Sequence, residues 1–343
     1  MRVAVVIPCR NEERYIERCV LSVVNSVYQD FLLNVYVCDG MSDDGTRNIV
    51  KTLSTHHPNV HLVDNEKRTT PFALNRGIKA AGNADVVIIL GAHAEIASDY
   101  VQLCVNDLNK DPDVGCVGGI LENVNEDETS EIIAHAMSSP FGVGNAHFRT
   151  GLKSGYVDTV AFGAYRKEVF EKIGLFDEAL TRNQDDEFNY RVTKAGFRIL
   201  LDPAIRCKYY VRAAYGKLFR QYYQYGLWKV YVNRKHNAVT SLRQLVPPVF
   251  VLFLFCALLL PFCMMLFSFG KIIALSWIVL FAGYIFGGVL AAIKQKAKPL
   301  QFPGVIFSIF LLHSGYGLGY LHGILKFLIL RRQPGDKESR LSR

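Results

Sequence analysis

The sequence predicts an α/β protein in which a doubly wound, mostly parallel sheet is followed by C-terminal transmembrane helices. Three observations carry this. Short, continuous apolar runs alternate with helical patterns through residue 202. Strands covered by helices on both faces read this way. Two later apolar runs, 245–269 and 272–293, contain no charged residue. Each reaches the ~20 helical residues that cross a hydrocarbon core. The charge divides at the same place. No Asp or Glu occurs between Asp202 and Asp336, and that stretch holds sixteen Lys and Arg. Against a total of +8, with +1 from residues 336–343, residues 1–202 carry −9.

In chain order, Val3–Pro8 reads as a buried strand and 12–27 as a helix with Ile16, Val20, Val23 and Val24 on one face. Strand 35–38, helix 45–53, strand 60–63, helix 71–81 and strand 86–90 follow. Later strands are expected near 115–120 and 156–162, and helices at 167–173 and 185–195. No G-x-G-x-x-G turn and no P-loop occurs, which argues against dehydrogenase and ATPase functions. The eight cysteines form no C-x-x-C pair, and reduced structural thiols are expected rather than a zinc site.

The remainder divides into a basic aromatic segment at 204–243, a membrane region at 244–330 and a basic tail at 331–343, after a soluble domain at 1–203. The 204–243 segment interleaves Tyr209, Tyr210, Tyr215, Phe219, Tyr222 and Trp228 with Arg206, Lys208, Lys217, Arg220 and Lys229. Rings and cations together suit the lipid head-group interface. They also suit single-stranded nucleic acid, but the adjoining apolar runs favour the membrane, and no nucleic-acid partner is expected. The apolar stretch at the N-terminus is too short for a signal peptide. With Lys294, Lys296 and Lys298 after the second run, the acidic half is expected in the cytoplasm of a multi-pass membrane protein. The third apolar region, 302–330, contains Gly315, Gly317, Gly319 and Gly323 and leads to Arg331 and Arg332. A single crossing would put that basic tail outside, so a re-entrant hairpin or an interfacial form is expected.

Four polar clusters stand at strand ends: Pro8-Cys9-Arg10-Asn11-Glu12, Asp39 to Thr46, Gly91-Ala92-His93-Ala94-Glu95, and Asn183 to Arg191. The carboxyl edge of an open α/β sheet is where ligands bind. An acid there, Asp39, suits nucleoside hydroxyls and N–H groups, whereas Asp43 and Asp44 read as turn and cap residues.

In order and spacing these clusters resemble the family 2 glycosyltransferases of GT-A fold. The similarity is greatest to the membrane-attached enzymes of succinoglycan and other exopolysaccharide synthesis. The V-V-I-P-x-x-N-E opening stands as Val5 to Glu12, the D-G-x-S-x-D-G-T loop as Asp39 to Thr46, and the A-x-N-x-G segment as Ala73 to Gly77. The resemblance implies that Pro8, Glu12, Asp39 and Asn75 bind the nucleotide sugar. It implies a D-x-D or D-x-H metal motif after the fourth strand. Here that motif is Gly91-Ala92-His93, so His93 would hold Mg²⁺ or Mn²⁺ without the first carboxylate. Glu95 is a conjectured replacement for that acid. The E-D-x-[DE]-L-x-x-R motif stands as Gln184 to Arg191, with Asp185 as general base and Gln184, Glu187 and Arg191 on the acceptor side. The Q-x-x-R-W motif of processive members stands as Gln224 to Trp228, with Leu227 in place of Arg. One sugar added per encounter is therefore expected, with Gln224 and Trp228 also on the acceptor side.

The resulting expectation is an inverting transferase in the bacterial inner membrane with its catalytic domain in the cytoplasm. It would move sugar from a UDP-sugar to a lipid-linked saccharide beside other polysaccharide-synthesis proteins. The alternatives are transfer to a polyprenyl phosphate or glycolipid, and a non-catalytic GT-A scaffold, for which Gly91 is the main support.

Overall fold

A computed structural model describes residues 1–334 except 145, 152, 212, 213 and 241. The chain forms two compact units. One comprises 1–124 and 147–210, the other 125–146 and the residues from 211 onward.

The first unit is built on one sheet. Its strands are β1 (Arg2–Cys9), β2 (Leu32–Asp39), β3 (Val60–Asp64), β4 (Val86–Ile89), β5 (Ala94–Ile96), β6 (Val114–Val124), β7 (Gly155–Val157), β8 (Ala164–Arg166) and β9 (Arg198–Tyr210). They run in the order β3-β2-β1-β4-β8-β6-β9-β5, with β7 also on β9. The β3-β2-β1-β4 half is parallel. In the other half β6 and β9 are parallel, while β8, β5 and β7 pair antiparallel. Helices of this unit are α1 (Ile16–Val24), α2 (Thr46–His56), α3 (Thr70–Ala81) and α4 (Tyr100–Lys110). The second unit contributes α5 (Glu128–Ser138) and α6 (Pro140–Val143) next in the chain. The first resumes with α7 (His147–Thr150), α8 (Lys167–Ile173) and α9 (Gln184–Lys194).

The apolar run Val3–Ile7 is buried along its whole length, as a strand enclosed on both faces must be. Gly77 brings α3 close to that strand, because a Cβ there would meet Val6 and the Cys38 sulfur. The core behind the sheet joins Val6, Cys38, Leu74, Tyr165, Phe176 and Phe188. Six of the eight cysteines are buried, and all eight are free thiols.

Three expectations are corrected here. Of the 156–162 strand only β7 forms, at its start, and a loop then leads to β8 at Ala164–Arg166. The basic aromatic stretch does not start at 204, because β9 runs on to Tyr210. Its period-2 pattern buries Ile205, Cys207 and Tyr209 and turns Arg206 and Lys208 outward. Of the two forms expected for 302–330, the re-entrant hairpin is not found, because the segment does not turn back on itself.

The second unit continues with α10 (Tyr215–His236), α11 (Val246–Cys256), α12 (Leu260–Leu266), α13 (Gly270–Lys294) and α14 (Phe302–Gly323), the last prolonged by a π-helical turn to Ile329. Among the described residues three helical segments are long and apolar enough to cross a membrane: Leu242–Leu266, Gly270–Lys294 and Pro299–Ile329. The third is one continuous helix. Its glycines serve packing instead of a turn. A Cβ at Gly315, Gly319 or Gly323 would meet the backbone oxygen of Phe219, Tyr223 or Leu227 of α10. This is the spacing of small residues through which helices in lipid approach closely. Gly317 faces away from that seam, against Pro247 and Val251 of α11.

α5 opens with a capping box between Asp127 and Ser130. Glu131 of α5 accepts from Gln301 at 2.7 Å, and Phe141 of α6 packs on Tyr284 and His313.

Candidate active site

The loops after β1 and β2 are joined side chain to backbone. The register sets Cys9 beside Asp39. Asn11 N–H donates to Ser42 Oγ at 2.8 Å, and Asp43 N–H donates to Asn11 Oδ1 at 3.1 Å. Glu12 N–H donates to Thr46 Oγ1 at 2.8 Å, and Gly45 N–H to Glu13 Oε2 at 3.1 Å. Asp44 accepts from Thr46 N–H at 3.0 Å and from Glu13 N–H at 3.3 Å. The polar residues of the first two clusters therefore hold each other. Asn11 and Met41 take left-handed backbone there, at φ 54° and 55°.

Asp39 stands at the sheet edge but is fully enclosed. Its carboxylate accepts from Ser42 N–H at 3.0 Å and from Arg47 Nη1 at 2.7 Å. The other arm of the Arg47 fork reaches Asp64 at 2.7 Å. Next to it, burial above all, and then the Asp39 charge, push the Cys9 thiol well above its usual range. Pro8 is half-buried at the end of β1.

Beyond β4, residues 91–94 form a turn in which Ala94 N–H donates to Gly91 O at 3.1 Å. The Cys19 thiol lies 3.4 Å from the same oxygen. His93 Nδ1 is 3.7 Å from Glu12 Oε1, and Tyr209 meets the imidazole edge-on at 5.1 Å. The Arg149 guanidinium covers that tyrosine. Glu95 is not turned to a metal position beside His93, since its carboxylate accepts from the Tyr210 hydroxyl. A Cβ at Gly91 would lie 2.8 Å from the Phe162 ring.

The fourth cluster opens α9. Asn183 has left-handed backbone (φ 58°), and Asp185, Asp186 and Glu187 form the first turn, facing the positive end of the helix dipole. Asp185 is exposed, and its Oδ1 accepts from Asp186 N–H at 2.9 Å. Gln184 Oε1 is enclosed with no hydrogen-bond partner among the described residues. Glu187 is fully buried in a pair with Arg191 at 3.0 Å. Arg191 also donates to the carbonyls of Ile173 at 2.6 Å and Leu175 at 2.8 Å. Both side chains clamp the approach to α9, Glu187 from within the core and Arg191 from a half-buried position. Asn75 has the same purpose from the other side. It is buried, pairs both ways with the Phe176 peptide at 2.9 and 3.0 Å, and donates to Glu178 at 2.9 Å. Asn189 was not singled out by the sequence. It is fully buried, accepts from Tyr165 Oη at 2.8 Å and donates to Thr159 Oγ1 at 2.9 Å. It thereby holds the loop that carries Phe162 against Gly91. The signal for it was present: an Asn among the apolar positions of an otherwise charged helix.

Gln224 and Trp228 belong to α10 in the second unit. Both are buried, and Trp228 packs edge-on to Tyr231. They are not brought together with Asp185 inside one unit.

Residues 4–174 match the model of glycosyl transferase family 2. The chain is 34% identical over 245 residues to the succinoglycan biosynthesis protein ExoA of Rhizobium meliloti (strain 1021), covering 71% of this chain and 73% of that one. The chain belongs to glycosyltransferase family 2. It is also 33% identical over 240 residues to a dolichyl N-acetyl-alpha-D-glucosaminyl phosphate 3-beta-D-2,3-diacetamido-2,3-dideoxy-beta-D-glucuronosyltransferase of Methanococcus voltae, covering 68% of this chain and 74% of that one. In fold this family 2 glycosyltransferase is similar to the mannosyltransferase PcManGT of Pyrobaculum calidifontis, solved with GDP-Man and Mn²⁺. The TM-score is 0.61 at 19% identity, over 92% of this chain and 86% of that one. The chain is thus an enzyme that acts on a nucleotide sugar.

Whether a divalent cation fits is a question about donors. Among the described residues no group of three or more His, Cys, Asp and Glu could hold an ion. His93 offers an imidazole nitrogen beside one carboxylate. That is sparse for an all-protein cage but suits an ion that takes most of its ligands from phosphate oxygens and water, as Mg²⁺ does in nucleotide sites.

Proposed function

We propose that the protein is an inverting glycosyltransferase of the bacterial inner membrane, with its catalytic domain in the cytoplasm. It moves a sugar from a UDP-sugar to a lipid-linked saccharide in exopolysaccharide or surface polysaccharide synthesis. The observation that carries this is the exposed Asp185 carboxylate. It stands on α9, whose Asn189 bonds to Thr159 in the loop that carries the Phe162 ring to Gly91. Likeness to a succinoglycan biosynthesis protein and the three apolar helices support the acceptor class.

In this reading Asp185 takes the proton from the acceptor hydroxyl as its oxygen bonds to the anomeric carbon. The bond from that carbon to the diphosphate breaks, and its electron pair leaves with the diphosphate. Attack opposite the leaving group inverts the configuration. A carboxylate suffices as base because the oxygen becomes acidic only as the new bond forms. Pro8 and Asp39 lie on the nucleoside side, where Asp39 shapes the 40–46 loop through Ser42 and Arg47. Gln184 lies on the acceptor side. His93 would hold a divalent ion, which neutralises charge on the diphosphate when bound.

The test is transfer from radiolabelled nucleotide sugars into endogenous lipid in membranes that carry the protein. Label from one donor should enter the lipid fraction and fall about 10²–10⁴-fold in Asp185→Asn. Undiminished transfer in that variant removes Asp185 from the mechanism. Equal transfer to free soluble sugars removes the lipid acceptor. A second reading, transfer to a sugar on a polyprenyl monophosphate, is favoured by likeness to the Methanococcus voltae protein, whose name places its acceptor on a dolichyl phosphate.

A further inference from the structure

We infer that the C-terminal ends of α10 and α14 form a binding site for the head groups of anionic phospholipids. Three chain segments meet there, all within the second unit. Asn233, buried near the end of α10, donates to Gln244 Oε1 at 2.9 Å and to Tyr320 Oη of α14 at 3.2 Å. It thereby ties the 3₁₀ turn Leu242–Leu245 to both helices. One residue on, Arg234 donates to the Arg332 carbonyl at 3.1 Å, and the Arg332 N–H closes on the Lys326 carbonyl at 3.0 Å. Arg331 makes that turn at left-handed φ 51°.

The segments so joined carry six cations: Arg234, Lys235, Arg243, Lys326, Arg331 and Arg332. Lys235, Arg331 and Arg332 are exposed, and the other three are half-buried. The two helix C-termini offer about half a negative charge each, which leaves an excess of about five positive charges. The acids that follow in the chain, Asp336 and Glu338, come with Lys337, Arg340 and Arg343, so the tail as a whole adds to that excess. A rule of sidedness puts cations on one face of a membrane. It does not bond three segments, distant in sequence, into one place. The corner also holds an unfilled donor. Gln244 Nε2 is enclosed and donates to no described residue, and a buried group left so is costly. Guanidinium forks and an amide N–H together call for an anion rich in acceptor oxygens, as phosphate is. What surrounds the cations decides where the phosphate comes from. Leu242, Leu325, Ile329 and Leu330 are exposed among them. A soluble anion makes no use of such residues, whereas a phospholipid brings its chains and its phosphate together. An excess of about five charges is also closer to several singly charged head groups than to one diphosphate.

The experiment uses the full chain in a neutral detergent, titrated with phosphatidylglycerol or with phosphatidylcholine of the same acyl chains. Bound lipid is counted by native mass spectrometry. Phosphatidylglycerol should bind about tenfold more tightly or better, and the preference should fade at high salt. Arg331→Gln with Arg332→Gln should weaken its binding about tenfold or more, the combined effect of two cations at an anionic surface. The bond from Arg234 survives these changes, because it ends on the Arg332 backbone. Lys217→Gln with Arg220→Gln removes the same charge from the other end of α10 and should leave binding within about twofold. Equal binding of the two lipids, or equal loss in the two double variants, overturns the site. If inorganic pyrophosphate displaces phosphatidylglycerol at equal concentration, the corner takes a diphosphate and the phospholipid assignment falls. Thermal unfolding identifies any variant that fails to fold. In that case Lys235→Gln with Arg331→Gln, both at exposed positions, gives the same comparison.

Discussion

Asn75 lies in a motif that resembles a nucleotide-binding segment, yet all three of its hydrogen bonds go to 176–178 of its own chain. An amide so engaged fixes the path into α9 and has no donor left for a nucleotide. Asn75→Ala would leave the buried Phe176 peptide unpaired, at a cost of about 1–3 kcal/mol for each stranded group. Thermal unfolding should detect that loss, while the KM for donor stays within about twofold and kcat falls. A large rise in KM at unchanged stability would return Asn75 to the nucleotide. Asp44 gives a second prediction at this scale. Burial works against its charge, but hydrogen bonds from Thr46 and from the Glu13 N–H outweigh it and hold the carboxyl below the usual range. A lowered carboxyl contributes stability at pH values above the unfolded value of about 3.9, and that contribution is lost as pH falls through the folded value. The Tm deficit of Asp44→Asn should therefore be present at pH 7 and shrink toward zero as the pH is lowered past 4. A deficit that does not diminish at all as the pH falls from 7 through the acid range would mean that packing, not charge, joins the two loops.

At the scale of elements, what the sequence disclosed depended on how each element buries itself. β1 and β4 were legible because burial on both faces writes an unbroken apolar run, and β2 and β3, less evenly buried, because their apolar residues stand between helical patterns. β9 was obscured because its outward residues are basic and its inward ones include tyrosine, so the alternation looked like a membrane interface. β5 has three residues, too few to carry a pattern. α4 could have been found: Tyr100, Val101, Cys104, Val105 and Leu108 repeat with helical period. The same limit applied to the site. The clusters marked the sheet edge, but charged motif residues do not reveal whether they face a ligand or each other, and Glu187 with Arg191 do the latter. The role of the glycines of α14 was not legible, because spacing alone does not name the partner. Their packing against Phe219, Tyr223 and Leu227 makes a test. Gly319→Leu must push α10 and α14 apart, since the Tyr223 carbonyl occupies that space. Overpacking of this kind costs about 1–3 kcal/mol or more. The variant should unfold at lower temperature in detergent, whereas Gly283→Leu, at a position with open space on its Cβ side, should not. Equal behaviour of the two would show that the seam is not a packing surface.

At the scale of the molecule, the question is which of the three apolar helices cross. Leu242–Leu266 and Gly270–Lys294 have few residues covered by the rest of the chain, as lipid-facing helices should, whereas half of the Pro299–Ile329 window is buried. What covers it is α10, a helix with Lys217, Arg220, Lys229, Arg234 and Lys235 that could not enter hydrocarbon without great cost. The two run in parallel, and Arg234 donates to the Arg332 carbonyl at their ends. We predict that a helix laid along such a partner lies at the head-group level, with rings and cations where both are favourable. Two crossings and an interfacial pair also keep Lys294, Lys296, Lys298, Arg331 and Arg332 on one side, as the charge rule requires. The measurement is labelling of single introduced cysteines in intact bacteria with a membrane-impermeant maleimide. Ser268→Cys, between the two spans, should label from outside. Lys296→Cys and Gln333→Cys should label only after the membrane is opened. External labelling at 333 with 296 protected would mean that α14 crosses and the basic tail violates the charge rule. External labelling at 296 would reverse the hairpin and, with it, the side of the membrane assigned to the sugar donor.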